Sequence, residues 1–319
     1  MNDPLPSWNE GLAKATILDF VRKTTAPSSP SFVRPKNRIA TFDQDGTTWV
    51  EQPMYTQLAF ALDRLAELAP QHPEWRTTEP FSSMLAGDMA AFAKFTMNDL
   101  EALVEVSHAG MSTDAFRDIV VDWIEKAKHP RWDRSYTDLV YQPMLEVMRY
   151  FEDNGFRNYI VTGGGQAFVR AYAEGVYDMT PEQVIGSSLE TQFEYDTGGA
   201  AFLMRPPKLL LYNDSAGKPQ DIYLFLGRPP VAAFGNSTGD QQMLEYTQTG
   251  GGARLMVLIL HDDATREYDY GPGSPHADTK FGAFTHALAD TARANGWLVA
   301  SMKNDWKRIF AFESSAEMT

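Results

Sequence analysis

IATFDQDGTTW, residues 39–49, carries an apolar, β-branched run straight into two carboxylates one residue apart. Residues 38–42 read as a short buried strand: after the first residue every position is apolar or β-branched, and the run stops at charged and glycine positions. The strand therefore ends on Asp43 and Asp45, with Gly46 able to turn the backbone closely and Thr47 placed to stabilise that turn. On an extended chain the two carboxylates point to opposite faces, so a turn at Asp43 lets them do different jobs at one site. Gln44, between them, has no role legible at this level.

The same strand-to-turn arrangement recurs in NYIVTGGG (158–165) and in PVAAFGNSTGD (230–240), and ARLMVLIL (253–260) and GWLVASM (296–302) add further apolar runs. Helical stretches such as GDQQMLEYTQ and FGAFTHALADTARANG lie between them. Strands alternating with helices predict an α/β fold, a parallel sheet with helices on both faces. FEYDTGGAAFLM (193–204) reads as a hairpin attached to that sheet, and residues 8–23 as a helix packed on its outside.

Residues 53–135 show almost no strand signal. MYTQLAFALDRLAELA, PFSSMLAGDMAAFAKF, NDLEALVEVSHAG and STDAFRDIVVDWIEKA are helical patterns, the last two opened by capping residues, Asn98 and Ser112 or Thr113. The expected organisation is an α/β core from residues 1–52 and 136–319, with an all-helical insertion over 53–135.

With 319 residues, 43% of them apolar, the chain can bury a substantial core. Its 28 basic and 42 acidic residues give a formal charge of -14, which argues against nucleic acid or an anionic membrane as partner and requires local donors for any small anion. There is no cysteine, so thiolate metal sites, disulfides and cysteine nucleophiles are excluded, and a metal must use oxygen or histidine ligands. No apolar run approaches the roughly 18 residues of a membrane helix, and MNDPLPSWNEG lacks the layout of a signal peptide. A soluble chain is expected, compatible with a leader already removed.

In open parallel sheets ligands bind beyond the carboxyl ends of the strands. Three such ends carry unusual polar groups: Asp43 and Asp45, Thr162 with Gly163 to Gly165, and Asn236 to Asp240. Each alone has a plainer reading, as a turn, a tight glycine bend or a helix cap. Together, one cleft can hold all three, which independent turns need not do. A carboxylate that attacks a phosphoryl group must overcome charge repulsion, so the site needs a hard cation, and Mg2+ suits carboxylates, waters and phosphate.

This set resembles the haloacid dehalogenase (HAD) superfamily, in its phosphatase branch with a helical cap, of the phosphoserine-phosphatase-like kind. Four motifs stand in the family's order: Asp43-Gln44-Asp45-Gly46-Thr47, Thr162, Lys218 in AGKPQDIYLFLG, and GNSTGDQQML. The resemblance implies a Rossmann-like core and an aspartyl-phosphate formed on Asp43, whose other oxygen holds magnesium. It implies that Asp45 protonates the leaving alcohol, activates water and lends its carbonyl to the metal. Thr162, Gly163 and neighbouring amides would hold phosphate, Lys218 would balance charge around Asp43, and Asp240 would complete the metal site. Asp45 also separates phosphatases from the halide-removing members, which lack a carboxylate there.

Two positions depart from or test that pattern. Asn236 stands where many relatives have a first aspartate, so the site carries one negative charge fewer, although the amide carbonyl can still serve the metal. Lys208 also precedes an apolar run, but Lys218 begins the helix before the fourth motif and is preferred. The helical insertion lies where many members carry a cap that closes over the strand ends and selects the leaving group. Trp49 and Glu51 could face the substrate there; the plainer reading, a core indole and a solvated carboxylate, outweighs it.

The expected activity is thus hydrolysis of a small phosphorylated metabolite, a phosphate monoester, with Mg2+. A phosphotransferase would use the same site, and a non-catalytic phosphate-binding protein is the alternative from another class. Relatives of this layout include exported bacterial enzymes, which tilts the expected location towards the periplasm. His261-Asp262-Asp263 diverge and read as a solvated strand end. No Gly-x-Ser-x-Gly elbow, P-loop or Rossmann dinucleotide fingerprint is present.

Overall fold

The computed structural model describes residues 3–313 apart from 89–90, 92–93, 96, 278 and 280. Its strands, in chain order, are β1 (Ile39–Phe42), β2 (Met111–Ser112), β3 (Arg157–Gly165), β4 (Val184–Leu189), β5 (Gln192–Tyr195), β6 (Ala201–Arg205), β7 (Leu209–Leu211), β8 (Ala232–Gly235), β9 (Leu255–Leu260) and β10 (Leu298–Ser301). Seven form one sheet in the order β10-β9-β8-β1-β3-β4-β7, parallel except for β7, which runs antiparallel to β4 at the edge.

Residues of β1 and β8 are buried at every position, as a sheet covered on both faces requires. Alternation along β1 sends Ala40 and Phe42 into one apolar cluster and Ile39 into another on the opposite face. Phe42 stacks on Phe234 of β8 with ring centroids 4.6 Å apart, which fixes the two central strands side by side. Because β1 pairs with β3 on one side and β8 on the other, the strand order reverses at β1, and a crevice opens beyond these three carboxyl ends.

Residues 53–135 are not all helical as expected, since β2 lies among them, but they hold the helices Thr56–Leu68, Phe81–Leu85, Met97–His108 and Thr113–Ile124. Ser112 caps the last of these, its hydroxyl accepting the Ala115 amide at 3.1 Å. The helix expected over 80–95 forms at Phe81–Leu85; several residues of its second half lie outside the described ones, as does the side chain of Asn98. Leu65, Trp75, Met84 and Leu103 make a small apolar cluster of the insertion's own. Phe60, Phe116, Val120 and Ile124 instead join the main core, with Phe60 packed 5.2 Å from Phe168.

The hairpin expected at 193–204 forms as β5 and β6, but its attachment differs from expectation. It leaves the sheet and pairs with β2 of the helical insertion, Met111 opposite Arg205 and Ser112 opposite Met204. Its exposed Phe193, Tyr195 and Leu203 suit an arm held over the surface rather than a strand sandwiched between helices.

Candidate active site

The three strand ends meet. The Asp43 amide donates to the Phe234 carbonyl at 2.9 Å, continuing the β1–β8 ladder one residue into the loop, while Thr162 sits on the neighbouring strand β3. Asp43, Asp45, Thr162, Gly163 to Gly165 and Lys218 all line one cavity of about 1200 Å³, roofed by the helical insertion and by the arm. Asn236 and Asp240 lie buried just behind its wall.

Lys218 stands in the first turn of the helix Gly217–Leu226. That helix can start there because residue 217 is glycine: a Cβ would sit 1.9 Å from the Tyr212 carbonyl oxygen. The Lys218 ammonium donates to Asp43 Oδ1, to Asp240 Oδ1 at 2.6 Å and to the Val161 carbonyl at 2.9 Å, three acceptors for three protons. Lys208 lines the same cavity but touches neither aspartate, being exposed and paired with Glu190 at 2.6 Å. Burial works against the charged form of Lys218, but Asp240 and Asp43 outweigh it and raise its pKa. Burial, reinforced by the charge of Asp240, pushes Asp43 up to about 8 against the pull of Lys218.

Asp45 is held by Trp49, whose indole N–H donates to Asp45 Oδ1 at 2.7 Å. Burial pushes Asp45 up to about 6, with that hydrogen bond drawing it back down. Trp49 itself is core, stacked on Tyr172 at 5.0 Å, and is not part of the cavity wall; it orients an acid rather than facing a ligand. Gln44 belongs to the same assembly, its amide donating to the Tyr172 hydroxyl at 2.7 Å. Its carbonyl accepts from Thr47 and Thr48, which winds the turn between the two aspartates and Trp49.

Glu51 is buried, not solvated. Its Oε1 accepts the Asn236 side-chain amide at 2.5 Å and the Tyr270 hydroxyl at 2.7 Å. Burial, with the charges of Asp45 and Asp43, holds its pKa well above the usual carboxylate range despite the bond from Tyr270. Gly46, at φ +75°, is needed beneath it, since a Cβ there would lie 2.1 Å from both Glu51 and Asn236. His261 is also buried, correcting its reading as a solvated strand end: Nε2 meets the Gly46 carbonyl at 2.6 Å and Nδ1 meets Glu267 at 3.1 Å. Strand β9 thus braces the loop of the two aspartates from behind.

At the glycine turn after β3, Thr162 Oγ1 accepts the Gly164 amide at 3.0 Å, which aims the hydroxyl. The Gly165 amide donates to Gln57 at 2.6 Å, and the Gln57 amide reaches His108 Nε2 at 2.8 Å. His108 Nδ1 in turn faces Ser107, whose hydroxyl donates to the Leu103 carbonyl at 2.5 Å. This chain is consistent only with a neutral His108 protonated on Nδ1, and burial lowers its pKa to about 3. Gln57, Tyr270 and His261 therefore support the site without carrying a recognisable motif.

The oxygen atoms suit a hard cation. The Thr47 hydroxyl lies 3.4 Å from Asp43 Oδ2 and 3.1 Å from Asn236 Oδ1, and its single proton cannot satisfy both. Asp43, Glu51 and Asp240 are buried near the ammonium of Lys218, but among the described residues no three acidic or histidine side chains converge on one point, so any cation would depend on Asp43 together with neutral oxygens. Asp240 is engaged on both oxygens, by Lys218 and by the amides of Asn236 and Ser237, so it fixes Lys218 and the loop rather than presenting a free ligand atom.

Comparison with known proteins agrees with this arrangement. The family model of haloacid dehalogenase-like hydrolases matches residues 40–245. No curated protein matches the chain. Among solved structures, a conserved protein of unknown function from Anaerococcus prevotii is 15% identical with a TM-score of 0.57, over 94% of each chain. A protein of unknown function from Bordetella pertussis is 15% identical with a TM-score of 0.49, over 83% of this chain and 98% of that one. At such identities the first of these likenesses speaks for the fold alone.

Proposed function

The chain belongs to the haloacid dehalogenase-like hydrolases, and from that membership and the site geometry we propose that it is a magnesium-dependent phosphatase of small organic phosphate monoesters. The observation that carries this reading is the double carboxylate at one strand end: Asp43 fixed by Lys218, and Asp45 fixed separately by Trp49, both opening on one cavity.

Asp43 attacks the phosphorus, forming an aspartyl-phosphate as the ester oxygen leaves. Asp45, its pKa at about 6, holds a proton for that oxygen and afterwards takes one from the water that cleaves the intermediate. The hydroxyl of Thr162 and the amides of the Gly163 turn bind the phosphate oxygens, and Lys218 holds Asp43 in one rotamer while offsetting its charge. Asp43, the Asp45 carbonyl and Asn236 would hold magnesium, with Asp240 close behind. When bound, magnesium supplies positive charge that offsets the phosphate and keeps Asp43 ionised. The helical insertion and the arm enclose the leaving group, which makes 53–135 the proposed cap.

Phosphate release from a panel of monoesters, with and without a chelator, tests this. Activity is expected in wild type with magnesium and loss of it in Asp43→Asn; turnover that survives either the substitution or the chelator overturns the mechanism.

A further inference from the structure

Arg205, at the end of β6, is 6% exposed and lines the same cavity as Asp43. Its Nε donates to the His108 carbonyl at 3.1 Å, and its guanidinium lies over the Phe116 ring at 4.2 Å. No carboxylate pairs with it among the described residues, and its two terminal nitrogens make no hydrogen bond there. The cavity's other cations are already engaged. Arg117 meets Asp114 and Asp118, Lys208 meets Glu190, and Arg170 donates to the carbonyls of Pro181 and Val184.

Those terminal nitrogens are not sealed from solvent but open on the cavity, so two donors on a largely buried stem are presented to whatever enters it. The planar fork of an arginine matches an oxyanion through two parallel hydrogen bonds. We infer that Arg205 is a second anion site of the pocket, binding a carboxylate or phosphate on the leaving-group portion of the substrate. Leu58, Leu103 and Leu203 supply an apolar wall to the same cavity, so the substrate is a phosphate ester whose second oxyanion is carried on an apolar spacer. This inference rests on the phosphatase reading of the site. It also runs against the bulk electrostatics, because a chain of charge -14 would disfavour a more anionic ligand unless a specific cation received it.

The test is calorimetric binding of three phosphonates of equal chain length, ending in a methyl, a carboxylate or a second phosphonate, with magnesium present. Wild type is expected to bind at least one doubly anionic ligand about tenfold or more tightly than the methyl one, and the two anionic arms tell carboxylate from phosphate. Arg205→Met should erase the preference while leaving the methyl ligand's affinity within about twofold, and Arg205→Lys should keep only part of it. Equal affinities in wild type, or a preference that survives Arg205→Met, overturn the inference. Should both variants fail to fold, the wild-type comparison alone decides. Phosphate release from the matching esters, run beside it, reports on the phosphatase reading separately: turnover without an anionic preference sinks only the role of Arg205.

Discussion

Asn236 donates its side-chain amide to the buried carboxylate of Glu51 at 2.5 Å. The carboxyl group missing from the fourth motif therefore stands directly behind it, supplied by the segment that follows β1 and biased towards its neutral form by burial. Asn236→Asp alone would press a second carboxyl group against Glu51 at the cavity's inner wall and remove a donor, lowering stability by roughly 1–3 kcal/mol. Asn236→Asp combined with Glu51→Gln exchanges the two groups and should recover that loss. Urea denaturation and calorimetric magnesium titration of both single variants and the double variant check this; strictly additive effects would refute the coupling.

Lys218 holds Asp43 and Asp240 on one shared ammonium. Lys218→Met leaves two buried carboxylates facing each other without a cation, an arrangement expected to cost about 3–5 kcal/mol. Phosphate release should be lost, and added magnesium should return part of the stability, read as a rise in melting temperature.

Trp49→Phe keeps a ring on Tyr172 but deletes the N–H that favours the ionised form of Asp45. The pKa of Asp45 should then rise above about 6. With an aryl phosphate, whose leaving group needs no proton, the step that requires Asp45 ionised dominates. The rate should fall as pH drops through about 6 in wild type, and should begin to fall at a higher pH in Trp49→Phe, in steady-state profiles.

His108 is neutral in the fold, its pKa lowered to about 3 by burial, whereas a free histidine titrates near pH 6.5. The unfolded chain therefore binds more protons between these values, and stability is lost progressively as pH falls below 6.5. From this one group the slope approaches about 1.4 kcal/mol per pH unit. His108→Asn should flatten the dependence of urea midpoints on pH between 6 and 4, even if it lowers the midpoint at pH 7.

Asp43, Thr162 and Asn236 are legible in the chain because an apolar run that stops on a polar residue is a local pattern, and a parallel sheet brings such ends together. The helical character of 53–135 is legible for the same reason, being written in apolar spacing. Arg205 and Gln57 are not. Nothing within a few residues separates Arg205 from an exposed arginine on an edge strand, and its burial arises only once β6 crosses to β2. Glu51 misleads in the opposite sense: its charge suggests solvent, and only the distant Tyr270 and Asn236 make a buried place for it. The hairpin's alternation reveals that it is a hairpin but not which strand it will find.

The ladder of β2, β6 and β5 joins two excursions that leave the sheet at different points, one before β3 and one after β4. Neither can swing freely. Any motion that admits a ligand by lifting the helices must either drag the arm along or sever the pairing of Met111 with Arg205, and the second course displaces Arg205 itself. With Arg205 in the role proposed for it, uncovering the aspartates and letting go of the far end of a bound molecule are mechanically tied, like a buckle whose tongue is also its catch.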